Sequence, residues 1–149
     1  MDLRKINFLV VVFFLSINCN VLKAENSISL KEYLDKENIE KGSTQIYLLN
    51  RCSAIYAYAS AIILKSDEKN SKKFIDIANS LLFKSVELRI IDNQDKLENA
   101  KKIAEDERSE LFKKYKKDGE INWKKNKSFF KGSYISQDMS ICAKLVDDK

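Results

Sequence analysis

The sequence predicts an all-α protein, a small bundle of four main helices preceded by a short N-terminal helix. Its 149 residues suit one domain of ordinary size. Proline is absent and only three glycines occur, which favours long uninterrupted helices over a turn-rich β architecture. Apolar residues also recur at steps of three and four along much of the chain. We therefore expect a single α-helical domain over residues 25–149.

The first 24 residues have the pattern of a secretory signal peptide. Basic residues at 4–5 precede an apolar run at 8–17, and Leu22 and Ala24 occupy the −3 and −1 positions of a cleavage site. We expect cleavage after Ala24, which makes the protein periplasmic or extracellular. This leader carries three of the basic and one of the acidic side chains, so the formal net charge of +5 falls to +3 in the mature domain.

Two alternatives to cleavage remain open. A retained N-terminal segment would make the protein a membrane-anchored helical accessory protein, although a membrane span needs about 20 apolar residues and the apolar stretch here is shorter. Lipidation of Cys19 would need a small residue just before the cysteine, and Asn18 stands there.

The mature domain keeps two cysteines, Cys52 and Cys142, and an even pair in an exported chain indicates a disulfide. A reactive thiol would need a histidine or a positively charged pocket to lower its pKa, and neither cysteine has an obvious one. Because the bond requires Cα atoms within about 7 Å, we expect the last helix to lie across the first long one.

Serine caps and glycine stops divide the helical pattern into elements. The segment 120–135 is expected to be irregular or a poorly formed turn of helix. In chain order, the predicted helices are a short one capped by Ser29 that ends by Gly42, a long one over 44–65 capped by Ser43, one opened by Ser71 that breaks at 92–94 or runs on, one over 95–117 ended by Gly119, and a short last one capped by Ser136.

The composition argues against an enzyme. The absence of histidine excludes Ser-His-Asp and Cys-His pairs and imidazole metal sites, and the three glycines form no phosphate-binding loop. The acidic residues at 105–110 lie among lysines and are expected to form a solvated helix face. We predict no catalytic residue, no metal and no cofactor. Four arginines also offer few bidentate contacts to bases, so no nucleic-acid partner is expected.

Residues 113–134 differ in composition from the rest of the domain because lysines alternate there with aromatic residues. Such a mixture suits an anionic membrane surface or a glycan, but the same rings could simply pack the end of the bundle. The candidate surface-binding residues are Trp123, Lys124, Lys125, Lys127, Phe129, Phe130 and Lys131.

The function expected from these features is that of a non-catalytic binding protein, resembling inhibitors, immunity proteins or chaperones in its general character. Its partner would be another envelope or secreted protein, because a leader and a disulfide place the chain outside the cytoplasm. The alternative partner is an anionic lipid or glycan surface that meets the lysines and rings of 113–134.

Overall fold

The computed structural model describes residues 28–147, and these residues form five helices and no strand. The helices are α1 (Leu30–Leu34), α2 (Gly42–Ile63), α3 (Glu68–Asn93), α4 (Leu97–Asn126) and α5 (Tyr134–Asp147). The predicted all-α bundle, with one short and four longer helices, is confirmed. The leader at 1–24, with Cys19, lies outside the described residues.

Helix α2 is the centre of the bundle and packs against each of the other four helices. Its side chains are buried on nearly every face, which agrees with the wide apolar stripe in its sequence. Leu49, Ile55 and Tyr58 from α2 meet Leu81 from α3 and Tyr115 from α4 in the main core. The central position of α2 therefore follows from its composition.

The cysteines join α2 to α5, as the sequence predicted. Cys52 and Cys142 form a disulfide with Cα atoms 5.3 Å apart, and both residues are fully buried. Helix α5 also packs against α1, whose start is capped by Ser29 through its hydroxyl, which accepts from the Glu32 N–H at 3.1 Å. The two ends of the domain are thus held together on α2.

The predicted serine caps of the other helices are wrong. Helix α3 begins earlier than expected because the Asp67 carboxylate accepts from the Asn70 N–H at 3.0 Å. Ser71 lies inside the helix, where its hydroxyl donates to the Ser60 carbonyl of α2 at 3.0 Å. Ser43 lies one residue inside α2, and Ser136 lies within the first turn of α5.

The prediction that Gly119 ends the fourth helix is also wrong, and of the irregular segment expected over 120–135 only residues 127–133 lie outside a helix. Helix α4 continues through the glycine to Asn126 and stops at Lys127, whose φ is +54° and whose N–H donates to the Trp123 carbonyl at 2.9 Å. A glycine inside a helix costs only about 1 kcal/mol relative to alanine. Here the missing side chain leaves room for Tyr58, because a Cβ at position 119 would overlap the tyrosine hydroxyl.

Candidate functional site

A groove of about 530 Å³ lies between the C-terminal part of α2, the second half of α4 and the loop that follows α4. Ligand-binding clefts commonly have volumes of about 300–1,000 Å³, so this groove is large enough to hold a small molecule or part of a polypeptide. Its walls are mainly apolar, with charged side chains along α4. The lining residues are Tyr58, Ala61, Ile62, Phe112, Lys116, Glu120, Trp123, Lys124 and Phe129.

A stacked aromatic pair forms one wall of the groove. The rings of Trp123 and Phe129 have centroids 4.7 Å apart and planes inclined by 21°. Trp123 is 45% exposed, which is a large open surface for the most hydrophobic aromatic side chain in the region. Tryptophan in such a position is the residue type most often found to dominate binding energies at protein interfaces.

The loop that carries Phe129 is held by the end of α4. The Asn122 side chain is buried and donates to the carbonyls of Ser128 at 2.7 Å and Lys131 at 3.0 Å. These bonds satisfy carbonyl groups that would otherwise face the protein interior. The loop therefore returns over α4 in one defined path and presents Phe129 to Trp123.

The three rings and four lysines predicted from the sequence as one binding surface do not lie together in the structure. Phe130 turns away from Trp123 toward the core, where its ring centroid is 5.5 Å from that of Tyr58. Of the predicted residues, Trp123, Lys124 and Phe129 line the groove. Lys125, Lys127 and Lys131 are exposed but are not part of the groove lining.

Three charged residues, Lys116, Glu120 and Lys124, follow one edge of the groove at successive turns of α4. None of the three makes an ion pair within residues 28–147. The edge thus presents a positive, a negative and a positive charge in a row, and all three are open to a ligand.

Sequence reasoning missed most of the groove, although a signal for it was present. Phe112, Lys116 and Glu120 lie at steps of four and share a helix face with Trp123 and Lys124. The expected helix end at Gly119 divided this stripe into two unrelated segments. The opposite wall, formed by Tyr58, Ala61 and Ile62 of α2, was not predicted as part of any site.

The floor of the groove contains a buried hydroxyl. Tyr58 is 2% exposed, and its hydroxyl oxygen has no hydrogen-bond partner within the described chain. Burial, together with the nearby Glu120 carboxylate, raises the pKa of Tyr58 to about 12. The phenol is therefore neutral at physiological pH.

A second polar cluster lies beneath α5 and is fully enclosed. Asp138 accepts from Arg51 Nη2 at 2.6 Å and Nε at 2.9 Å, from the Tyr115 hydroxyl at 2.7 Å and from the Leu30 N–H at 2.6 Å. Arg51 also donates to the Ile28 carbonyl at 2.7 Å. The cluster ties α2, α4 and α5 to the start of α1.

The pKa shifts in this cluster keep its groups in their hydrogen-bonding forms. Burial alone would lower the pKa of the Arg51 guanidinium, but Tyr115 and Asp138 outweigh burial and raise it above its usual range. Burial raises the pKa of Tyr115 well above 10. Arg51 therefore stays charged and Tyr115 stays protonated, so both donate to Asp138. Among residues 28–147 the Arg51 side chain is only 4% exposed and that of Asp138 is fully buried, and we assign the cluster a structural role.

The acidic residues at 105–110 behave only partly as expected. Asp106 and Glu110 are exposed and pair with Lys102 and Lys113 at 2.6 and 2.7 Å. Glu107 differs, because it forms an ion pair with Arg89 of α3 and accepts from Asn50 of α2. It is a packing element between three helices and not simply part of a solvated face.

The described residues hold no group of three or more cysteine, aspartate or glutamate side chains arranged to bind a metal ion. Among residues 28–147, α2 is long and apolar enough by composition to cross a membrane. However, 61% of its most apolar stretch is buried in the bundle, as in the core helix of a globular domain.

No protein-family model, curated protein or solved structure matches this chain significantly.

Proposed function

We propose that the protein is a non-catalytic binding protein, exported from the cytoplasm, that holds an apolar segment of another envelope or secreted protein in the groove between α2 and α4. The observation that carries this proposal is the stacked Trp123–Phe129 pair, which leaves Trp123 45% exposed at the mouth of a 530 Å³ apolar groove. A large aromatic surface open to water is costly unless a partner covers it.

The charges along the groove favour a polypeptide over an anionic membrane or glycan. Glu120 lies between Lys116 and Lys124, so a uniformly negative surface would be repelled at the middle of the edge. A helical segment can place acidic side chains opposite both lysines and a basic one opposite the glutamate. The expected partner segment therefore has apolar anchors flanked by charges in the order acidic, basic, acidic.

The disulfide supports export of the chain. Cys52 and Cys142 lie 90 residues apart in sequence, and such bonds persist mainly in oxidising compartments outside the cytoplasm. The leader pattern at 1–24 agrees with this location. Mass spectrometry of protein expressed from the whole chain should find an N-terminus at Glu25 and no free thiol on Cys52 or Cys142. A chain that retains Met1 and has alkylatable thiols would contradict export.

Site-specific photocrosslinking tests the groove. A photoreactive amino acid is placed at Ala61, which is exposed within the groove, and in a second protein at Lys101, whose side chain is 65% exposed on the first half of α4. In cells that export the protein, position 61 should form an adduct with a discrete polypeptide. Sequencing of the adduct should find apolar residues flanked by acidic ones, and position 101 should not give this adduct.

Adducts of position 61 with lipid or glycan alone would refute a protein partner. Adducts formed equally at 61 and 101 would refute the groove as the site. Lys124→Glu should weaken the specific adduct, because it leaves two acids and one lysine along the edge. The control Gln137→Glu adds a negative charge on α5 at an exposed position outside the groove lining and should leave the adduct unchanged.

Tryptophan fluorescence separates the protein partner from a membrane. Trp123 is the only tryptophan of the chain, so its emission reports on the groove without interference. Vesicles of anionic phosphatidylglycerol should leave the emission maximum unchanged. A synthetic peptide of the crosslinked sequence should shift it to shorter wavelength as the ring loses water. A vesicle-induced shift that salt abolishes would instead support the anionic-surface alternative.

A further inference from the structure

A second cavity, of about 240 Å³, lies between the start of α2, the end of α3 and the first half of α4. It is separate from the groove, because the two share no lining residue. Two of its lining residues, Ser43 and Asn93, are exposed, so a small molecule can enter it from solvent. The cavity is lined by Ser43, Ile46, Tyr47, Arg89, Asn93 and Glu107.

The ion pair between Arg89 and Glu107 forms part of the cavity wall. Arg89 is 8% exposed, and its Nη2 donates to Oε2 of Glu107. The same oxygen accepts from Nδ2 of Asn50. Two donors therefore share Oε2, whereas Oε1 of the 43% exposed Glu107 side chain makes no hydrogen bond within residues 28–147. The carboxylate can accept from a further donor at Oε1.

Buried polar atoms without a partner gather around this ion pair. Four buried side-chain nitrogen or oxygen atoms make no hydrogen bond within residues 28–147, and three of them are Arg89 Nε, Asn50 Oδ1 and Ser85 Oγ. Asn50 bonds the same carboxylate as Arg89, and Ser85 lies one helical turn before Arg89 on α3. Arg89 is the member of the three that also lines the cavity. Folded proteins leave few buried polar groups unpaired, so this concentration indicates a site for a polar ligand.

The charges in the wall favour a ligand that carries both signs. A ligand with a carboxylate alone would be attracted by Arg89 and repelled by Glu107, and a ligand with an amine alone would meet the reverse. A zwitterion can place its carboxylate against the Arg89 guanidinium and its ammonium group against Glu107. The cavity is smaller than the roughly 300 Å³ at which clefts for drug-sized ligands begin, so the zwitterion must be small.

We propose that this cavity binds a free α-amino acid, whose carboxylate accepts from Arg89 Nε and whose ammonium group donates to Glu107 Oε1. Ile46, which is 4% exposed, offers an apolar surface to the side chain of the amino acid. The proposal is independent of the proposed function, because no residue of this cavity lines the groove.

Titration followed by nuclear magnetic resonance tests the proposal on protein expressed from the whole chain, with its disulfide intact. Each standard α-amino acid is added separately to about 10 mM, which detects dissociation constants of about 1 mM. At least one should shift the Arg89 Nε–H signal in a saturable way and leave the indole N–H signal of Trp123, in the groove, unchanged. Acetate and ethylamine each carry one of the two charges and should bind roughly tenfold more weakly or less.

Three variants locate the ligand. Glu107→Gln should weaken binding by roughly tenfold or more, because it removes the charge that faces the ammonium group. The matched control is Asp106→Asn, since the neighbouring Asp106 is exposed and pairs with Lys102 at 2.6 Å. Asp106→Asn should bind like the wild type. Ser43→Phe fills the cavity from an exposed position and keeps the ion pair, so it should abolish binding even if Glu107→Gln fails to fold. Circular dichroism shows whether each variant is folded.

Four results would overturn the proposal. If no amino acid shifts the Arg89 signal, the cavity is not an amino-acid site. Acetate or ethylamine that binds as tightly as the best amino acid would exclude recognition of a zwitterion. Binding that Ser43→Phe leaves unchanged would place the ligand elsewhere. A crystal structure grown with the best amino acid that shows only water in the cavity would assign the unpaired atoms to solvent.

Discussion

Replacement of Asp138 by asparagine tests how the two ends of the domain are held together. The side chain is fully buried and accepts four hydrogen bonds, from the Arg51 guanidinium, the Tyr115 hydroxyl and the Leu30 N–H. Asparagine has the same shape, and its one oxygen can still accept from Leu30. Its NH₂ group, however, faces donors where the wild-type carboxylate has an acceptor.

The expected loss comes mainly from the charge that remains. In Asp138→Asn, Arg51 keeps its positive charge at a side-chain exposure of 4% without the carboxylate that neutralises it. Removal of one partner from a buried ion pair costs about 3–5 kcal/mol. This is a large share of the roughly 5–15 kcal/mol that stabilises a typical domain, and it should lower the urea midpoint by roughly 2–3 M.

Urea unfolding monitored by circular dichroism, with the disulfide intact, measures this loss. The matched control is Asp76→Asn, the same chemical change in a 61% exposed ion pair with Lys72, and it should leave the midpoint near that of the wild type. Arg51→Met in the Asp138→Asn background should recover part of the loss, because it removes the unpaired charge. The reasoning is refuted if Asp138→Asn lowers the free energy of unfolding no more than Asp76→Asn does. It is also refuted if the losses of Arg51→Met and Asp138→Asn, each measured alone, add up to the loss of the double variant.

Three further predictions concern the core. Gly119→Ala should lower the free energy of unfolding by about 1–3 kcal/mol, because the added Cβ overlaps the Tyr58 hydroxyl. Tyr58→Phe in the same chain should recover part of the loss in urea unfolding. Full stability of Gly119→Ala alone would contradict the close packing of Tyr58 on residue 119. Replacing Cys52 and Cys142 together by alanine should cost about 4–5 kcal/mol for a loop of 90 residues, and a loss below about 1 kcal/mol would be inconsistent with a structural bond. The free energy of unfolding should fall above about pH 10. Burial raises the pKa of Tyr58 to about 12 and also raises the pKa of Tyr115, so the unfolded chain releases these two protons at a lower pH than the folded protein does. Urea unfolding at pH 9 and 11 should show a smaller fall for Tyr58→Phe.

Apolar periodicity and cysteine chemistry were enough to predict the helical bundle and its crosslink. Leu49, Cys52 and Tyr56 recur at steps of three and four, the spacing of an inward face, and Met139 and Cys142 lie three residues apart on the last helix. Both cysteines are fully buried in the structure and joined. These inferences succeeded because each depends on local spacing plus one chemical rule.

The helix ends and the polar core could not be obtained in the same way. A serine that caps a helix and a serine that bonds a neighbouring helix look identical in sequence, and Ser71 is the second kind because Ser60 lies opposite it. Gly119 resembles a helix stop until the position of Tyr58 is known. The pairing of Arg51 with Asp138 spans 87 residues, and no local pattern indicates it.

The fold separates the elements that stabilise the domain from those that form the groove. The disulfide and the Arg51–Asp138 cluster lie where α5 and the start of α1 meet α2, whereas the groove uses α4 and the loop after it. The two regions are in contact, because Tyr58 in the groove floor stacks on Tyr115, which donates to Asp138. Changes at exposed positions such as Ala61 and Lys124 should therefore leave the fold intact, while a change at Tyr58 affects the groove and the core together. Under the proposed function, binding specificity is expected to depend on the exposed edge of α4 and its aromatic pair, whereas the stability of the domain depends on the buried contacts of α2.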